Sequence, residues 1–278
     1  MKDGSASGTR SGSSSPEGLR MDRLSPAHRD FERLAREAGM DPDNRWVGGY
    51  ADYEWSHLRL VLAAYGVSVQ GKDVLEFGCN VGASSVVLAA LGARLAAVDI
   101  DAGHVAIARA NLARHGVGDG ANILHVEDTR AMPFAPASFD FILANSVLEY
   151  VDPRHLDSVI AQLHRLLRPG GRLLICGTAS RIAVQEIHSG RWLVNYLPRM
   201  VDRIRGKPLQ RGLGPMHLAA SIRGRFSDVT GSGWLAGRKA IHGRASLPMR
   251  AVARFAALLG RSPGWFTPHI ELLLEKRD

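Results

Sequence analysis

The sequence predicts an α/β fold: a mostly parallel sheet with helices on both faces. Three observations predict it. From residue 72 onward, short apolar runs alternate with stretches of helical periodicity. The runs are nearly continuous in Val, Leu, Ile, Phe and Ala, the pattern of strands buried on both faces. A glycine-rich turn joins the first run to the first helix of that series, and turns of that kind sit at the carboxyl ends of parallel strands, where α/β sheets bind ligands.

The elements follow in order. Residues 1–20 are rich in Ser and Gly without apolar periodicity, so a disordered tail is expected. Ser25-Pro26 suits the cap and first turn of a helix over 25–39, with Phe31, Leu34 and Ala35 on one face. A second helix is expected over 52–65, with Trp55, Leu58, Val61 and Leu62 aligned. Residues 21–70 thus read as a helical lid. The core, 71–180, holds strands at 73–77, 94–99, 123–126, 139–144 and 172–177. Its helices are expected at 83–91, 102–115 and 154–167. Arg168-Pro169-Gly170-Gly171 reads as a breaker turn before the fifth strand. Residues 181–215 carry Trp192, Tyr196, Pro198 and several arginines but no strand pattern, and read as a helical cap inserted over the site. Residues 216–278 supply a helix at 216–225, a strand at 226–230, a helix at 247–259 and a last strand at 269–274. Two strands after the fifth make seven.

Composition narrows the function. The 278 residues are 45% apolar, ample for a core. No run approaches the ~20 apolar residues of a membrane span, and the start has no apolar stretch of a signal peptide. Two cysteines make neither a disulfide framework nor a metal cluster, so no metal is expected and the expected compartment is the cytoplasm. The net charge of +8 is unevenly spread. Residues 1–180 hold 18 Lys/Arg against 21 Asp/Glu, and residues 181–278 hold 17 against 6.

Three successive strand ends carry polar residues of one kind. The first reads Glu76-Phe77-Gly78-Cys79-Asn80-Val81-Gly82. Gly78 permits a tight turn, Gly82 permits close packing at the helix start, and the amides of the turn suit a carboxylate. The second reads Val98-Asp99-Ile100, where a carboxylate can accept from both hydroxyls of a ribose. The third reads Asp128-Thr129, where an Asp can accept from an adenine amino group. Asp101 is the better candidate to cap the helix at 102. Cys79 reads as a packed thiol, since nothing basic is placed to activate it. A dinucleotide-binding dehydrogenase ranks below, because Asn80 stands where its second glycine belongs.

These motifs resemble, in order, those of the class I S-adenosylmethionine-dependent methyltransferases. Glu76 to Gly82, Val98 to Ile100, Glu127 to Phe134, Ser138-Phe139-Asp140, Val147 to Val151 and Leu167 to Gly171 carry the resemblance, which is good over 70–180. The branch resembled is the small-molecule, ubiquinone-biosynthesis type. The resemblance implies a Rossmann-like seven-strand sheet with the last strand antiparallel, and S-adenosylmethionine as cofactor. It implies that Gly78 and Gly82 shape the methionine pocket, that Asp99 holds the ribose hydroxyls, that Asp128 holds the adenine amino group with Thr129 lining the ring, and that Asn145 lies near the sulfonium. Glu76, Cys79, Asn80 and Ile100 complete the expected cofactor-binding residues. Asn80 replaces a usual glycine, and Asn tolerates left-handed backbone.

The acceptor side is less determined. Asn145-Ser146-Val147-Leu148 lacks the Asn-Pro-Pro-Tyr of enzymes that methylate nucleobases or Gln. Glu186 and His188 stand two apart after the fifth strand; if extended they share a face, with the carboxylate raising the basicity of the imidazole. They are the first candidates for a catalytic base. Glu149, Tyr150 and His155 are the second. Arg191, Trp192 and Tyr196, with Glu149, are candidate acceptor-binding residues. Tyr50 and Tyr53 suit either a lid beside the cofactor or packing under the first helices.

Three functions stay open: an O-methyltransferase of a small, glycosylated or lipid-linked, anionic acceptor; an RNA methyltransferase; and a non-catalytic cofactor-binding protein docking on an anionic membrane. The basic third favours a negative acceptor or surface. Leu193, Leu197, Met200, Val201 and Ile204 would share one helical face, with Arg199, Arg203 and Arg205 flanking, which suits peripheral contact at the inner membrane face, although Pro198 splits the helix.

Overall fold

The computed structural model describes residues 18–198, 200–206 and 209–277, without the side chains of Arg203 and Arg205. Most of the expected tail and Arg199 lie outside the described residues. The tail does not extend to residue 20, because Leu19 already packs against the core.

Seven strands form one sheet in the order β3-β2-β1-β4-β5-β7-β6. They are β1 (Asp73–Phe77), β2 (Arg94–Asp99), β3 (Asn122–His125), β4 (Phe139–Asn145), β5 (Leu167–Ala179), β6 (Phe226–Asp228) and β7 (His269–Lys276). β1 to β5 are mutually parallel, and β7 runs antiparallel to both β5 and β6. The chain moves outward from β1 to β3 and then returns to β4 on the other side of β1. That reversal opens a crevice at the carboxyl ends of β1 and β4.

The helices are α1 (Pro26–Glu37), α2 (Tyr50–Ala64), α3 (Ala83–Ala90), α4 (Ala102–Arg114), α5 (Leu156–Leu166), α6 (Met200–Arg205), α7 (Pro215–Ile222), α8 (Gly233–His242) and α9 (Leu247–Leu258). Local chemistry sets several starts. Ser25 accepts from the His28 amide at 3.1 Å, and Asp101 accepts from the His104 amide at 2.9 Å, each satisfying a free donor of a first turn.

Side-chain alternation along the strands divides the core. Leu75, Phe77, Ile142 and Leu173 face α5 and α7. Val74, Phe141, Leu143, Leu174 and Leu273 face α2, α3 and α8. The breaker at 168–171 is a bulge within β5 rather than a turn before it: Phe139 pairs with Leu167 but Phe141 pairs with Arg172. From that bulge Arg168 reaches Asp73 at 2.8 Å and Asp140 at 2.9 Å, tying three strand starts together.

Two features differ from expectation. The cap is not a continuous helix. Pro198 has no amide hydrogen for helical bonding, and the segment holds a single 3₁₀ turn (Val194–Tyr196) before the short α6. α8 has no counterpart in the sequence reading, because Gly233 and Gly237 interrupt its helical pattern. Gly233 is required there: a Cβ would sit 2.3 Å from the Tyr65 ring, so glycine lets α8 press onto the end of α2.

Candidate active site

The loop after β1 is held in left-handed backbone at three points: Gly78 (φ 80°), Asn80 (φ 47°) and Gly82 (φ 78°). A Cβ on Gly78 would lie 2.3 Å from Val147 Cγ2, and one on Gly82 would lie 2.9 Å from the Ala108 backbone. The glycines therefore let the loop nest between the β4 end and α4. The amides expected to meet a carboxylate are mostly engaged. Those of Gly78 and Cys79 donate to the Val98 carbonyl, that of Gly82 donates to the Cys79 carbonyl, and that of Asn80 donates to Asp99 Oδ2 at 2.8 Å. This corrects the reading of the turn as a cradle of free donors: the amides of Gly78, Cys79 and Asn80 bind it to β2, and that of Gly82 closes the loop on itself.

Asp99 stands at the carboxyl end of β2, largely buried. It also accepts from the Asp101 amide at 3.0 Å and pairs with His104 at 3.5 Å. Burial works to raise its pKa, but these donors outweigh it and hold the carboxyl below its usual range. Oδ1 is engaged by Asp101 and His104, while Oδ2, which accepts from the Asn80 amide, keeps a lone pair for a further donor. Beside it Ile100 is 65% exposed, an apolar surface next to a hydroxyl acceptor. Asp128 lies at the rim with Thr129, and its carboxylate accepts from the Arg130 guanidinium at 2.8 and 3.0 Å.

Under the loop lie two buried acids. Glu76 is buried at the end of β1 and accepts from the Ser85 hydroxyl. Burial pushes its carboxyl up to about 8, against the hydrogen bond from Ser85. Glu54, from α2, accepts from Asn145 Nδ2 at 3.1 Å, and the same amide reaches the Ser84 hydroxyl at 3.0 Å. Burial raises Glu54 to about 7, against hydrogen bonds from Asn145 and Tyr50. Among the described residues neither acid pairs with a Lys or Arg. Sequence reasoning missed Glu54. Its signal is an acid on the stripe formed by Ala51, Leu58 and Leu62, the face of α2 that is buried. Tyr50 packs beside Val81, and Tyr53 stacks on His57. Cys79 is buried, and burial pushes its thiol up, as expected of a packed and inert thiol.

At the end of β4, Glu149 is buried in a 3₁₀ turn (Leu148–Tyr150). Its Oε1 accepts from the Ala179 amide at 3.1 Å and lies 3.0 Å from His188 Nε2, while its Oε2 is buried without a partner. The structure thus joins His188 to Glu149 rather than to Glu186. Residues 184–193 turn back on themselves instead of extending, with the Glu186 amide donating to the Arg191 carbonyl. The Glu186 carboxylate then accepts the backbone amides of His188 (3.1 Å) and Ser189 (2.6 Å). It shapes the turn and makes no bond to the imidazole. Burial works to raise Glu186, but its hydrogen bonds with Ser189 and the His188 amide hold it below the usual carboxylate value. The hydrogen bond to Glu149 raises the His188 pKa, against burial. The Tyr150 ring lies 5.5 Å from the imidazole. His155 lies apart from this pair, 3.4 Å from Arg130. Arg191 and Trp192 are exposed on the outer arm of the turn. Tyr196 is exposed too, but its hydroxyl donates to the Ile182 carbonyl at 2.7 Å.

A family model described as "Methyltransferase domain" matches residues 75–175. The ubiquinone biosynthesis O-methyltransferase of Xanthomonas euvesicatoria pv. vesicatoria is 32% identical over 199 residues, 68% of this chain and 79% of that protein. An uncharacterized protein of Haemophilus influenzae is 33% identical over 130 residues, 46% of this chain. The match spans about half of that relative's length, 48%. Among solved structures, the MccD protein superposes with a TM-score of 0.50 at 14% identity, covering 85% of this chain and 100% of that one, a likeness of fold alone.

Proposed function

The chain belongs to the class I S-adenosylmethionine-dependent methyltransferases, and from that premise we propose that it methylates a hydroxyl oxygen of a small, anionic acceptor. The observation that carries the proposal is the His188–Glu149 pair, set beyond the carboxyl ends of β4 and β5 on one side of the crevice between β1 and β4. The name of the Xanthomonas relative, an O-methyltransferase, supports oxygen as the acceptor atom.

The donor set fits the cofactor. S-adenosylmethionine brings an ammonium, a ribose and an adenine, and, when bound, supplies an electrophilic methyl on a cationic sulfur. Glu76 and Glu54 are buried acids with no basic partner among the described residues, which suits a cationic ligand. The donors around Asp99 favour its charged form, and its Oδ2 keeps a lone pair for a ribose hydroxyl. Ile100 offers an apolar face to the base. Asn145, held by Glu54 and Ser84, would lie near the sulfonium.

Methyl transfer to oxygen needs the acceptor oxygen within ~3 Å of the methyl, in line with the carbon–sulfur bond. It also needs the hydroxyl proton removed. Glu149 accepts from His188 Nε2–H, which leaves Nδ1 with its lone pair free as the general base. The bound cofactor would supply the methyl for the acceptor oxygen, and His188 Nδ1 would take the acceptor's proton. Glu149 then stabilises the imidazolium. Glu186 holds the turn that presents the ring. Trp192, Leu193 and Tyr196, exposed on the cap, offer an apolar and aromatic surface to the body of the acceptor, and Arg191 offers a partner for its negative group.

The test is incubation with methyl-labelled S-adenosylmethionine and a cell extract, followed by identification of the product. A labelled small molecule with the methyl on oxygen is expected, and His188→Ala should abolish it. Label on nitrogen, on RNA or on nothing contradicts the proposal.

A further inference from the structure

The segment 229–270 contains six Lys/Arg and neither Asp nor Glu. It folds into α8, α9 and the 3₁₀ turn at Pro263–Phe266, on the edge of the molecule that carries β6 and β7. Arg238 alone of the six finds a carboxylate, Glu271. Among the described residues, no acid pairs with Lys239, Arg244, Arg250, Arg254 or Arg261.

α9 has two opposite faces. Its inner face is small: Ala256 is buried, and Met249 and Ala253 pack partly against the core. Its outer face carries Leu247, Ala251, Phe255 and Leu258, spaced four, four and three apart and so in one row along the helix. Leu258 is 86% exposed, Leu247 73% and Phe255 52%. Arg250 and Arg254 lie along one side of that row. On the same side a cleft of about 510 Å³ opens between α8 and α9, walled by Ala253, Ala257 and Leu235 and edged by Lys239 and Arg261.

We propose that this face of α9, with the basic cleft beside it, docks on an anionic membrane surface. An apolar row edged by unpaired cations fits the boundary between acyl chains and phosphate headgroups: the row enters the chains while the arginines and the cleft meet phosphates. Neither alternative occupant satisfies both halves. A second copy related by a two-fold axis would set its arginines against one another, and the one acid beside the cleft among the described residues, Asp228, is engaged by Ser262 and Trp265. An RNA backbone suits the arginines but leaves Leu247 and Leu258 without apolar partners, and Phe255 is the one aromatic ring in the row. The site is distinct from the cap, and the inference stands apart from the proposed methyl transfer.

The experiment is co-sedimentation of the full chain with vesicles of phosphatidylcholine alone and with equimolar phosphatidylcholine and phosphatidylglycerol. Binding is expected to the anionic vesicles only, and to weaken steeply with salt. Arg250→Glu together with Arg254→Glu should lower the vesicle partition coefficient by about thirtyfold or more. Leu258→Asp should lower it by about tenfold, while thermal melting confirms that the chain stays folded. Three results would overturn the proposal: equal binding to both vesicle types or to neither; loss of binding through Ile204→Asp in the cap but not through the α9 variants; or an RNA complex or a concentration-dependent dimer that the α9 variants abolish.

Discussion

The two halves of the molecule handle charge in opposite ways. Under α2 and the loop after β1, Glu54 and Glu76 are buried, bonded to Asn145 and Ser85, and shifted toward their neutral forms. On α9, Arg250 and Arg254 stand exposed and unpaired beside exposed leucines. Buried acids without basic partners are costly unless a cation arrives. Exposed arginines cost little and wait for an anion. The difference teaches that the excess positive charge is not a property of the catalytic crevice, whose own ionisable groups are mostly acids and histidines. Of the surplus, six cations with no acid lie at 229–270, at the far edge of the sheet, and seven cations with two acids lie in the cap at 181–215.

Variants in the two regions should separate cleanly, and the largest effect is expected in the crevice. His188→Ala should lower kcat by about 10²–10⁴ and leave affinity for S-adenosylhomocysteine unchanged, as rate and calorimetric measurements would show. Because Glu149 raises the His188 pKa, activity should rise with pH through a value above that of a free imidazole. Glu149→Gln should move that rise to lower pH and slow the reaction, a pairing effect that a merely structural role for Glu149 would not produce.

Next in size is Asp99→Ala. It removes the charged acceptor of a ribose hydroxyl, a bond worth about 1.5–3 kcal/mol. Cofactor affinity should fall by about a hundredfold, while vesicle binding stays as in the unaltered chain.

A smaller effect concerns protons. Glu76 and Glu54 have raised carboxyl pKa values in the folded chain, so the folded state holds protons that the unfolded state releases. Their stabilising contribution is complete below the ordinary carboxylate pKa and is lost as pH rises through about 7 and about 8. Melting temperature without ligand should therefore decline across that window, and Glu76→Gln should flatten the decline. A bound ammonium favours the ionised acids, so ligand binding near neutral pH should release protons, visible as a binding enthalpy that depends on the buffer.

The smallest effect is predicted for Leu258→Asp. Stability should stay within about 0.5 kcal/mol, and turnover of a soluble acceptor should not change. By contrast Leu75→Ala, in the buried core, should cost about 2–5 kcal/mol. A strong stability loss at Leu258 would show that α9 packs against the body more closely than its exposure indicates.

Much of this was legible in the sequence. Continuous apolar strands between helical periods announced the parallel sheet, and Gly78, Asp99 and Asp128 marked three adjacent strand ends. Those signals are local, and backbone geometry alone ties them to the crevice. What the sequence hid depends on distant partners. The Glu149–His188 pair joins residues 39 apart through two separate loops. Glu54 acts on Asn145 from 91 residues away. Spacing alone pairs Glu186 with the imidazole, and in the fold it serves the backbone of its own turn. α8 was masked by glycines whose purpose, contact with Tyr65, appears only in three dimensions.

Titration of the purified chain with S-adenosylhomocysteine, beside Asp99→Ala, tests the central claim most directly. The account predicts saturable binding to the unaltered chain, with proton release, and binding about a hundredfold weaker to the variant. No binding to the unaltered chain, or equal binding to both, would contradict it.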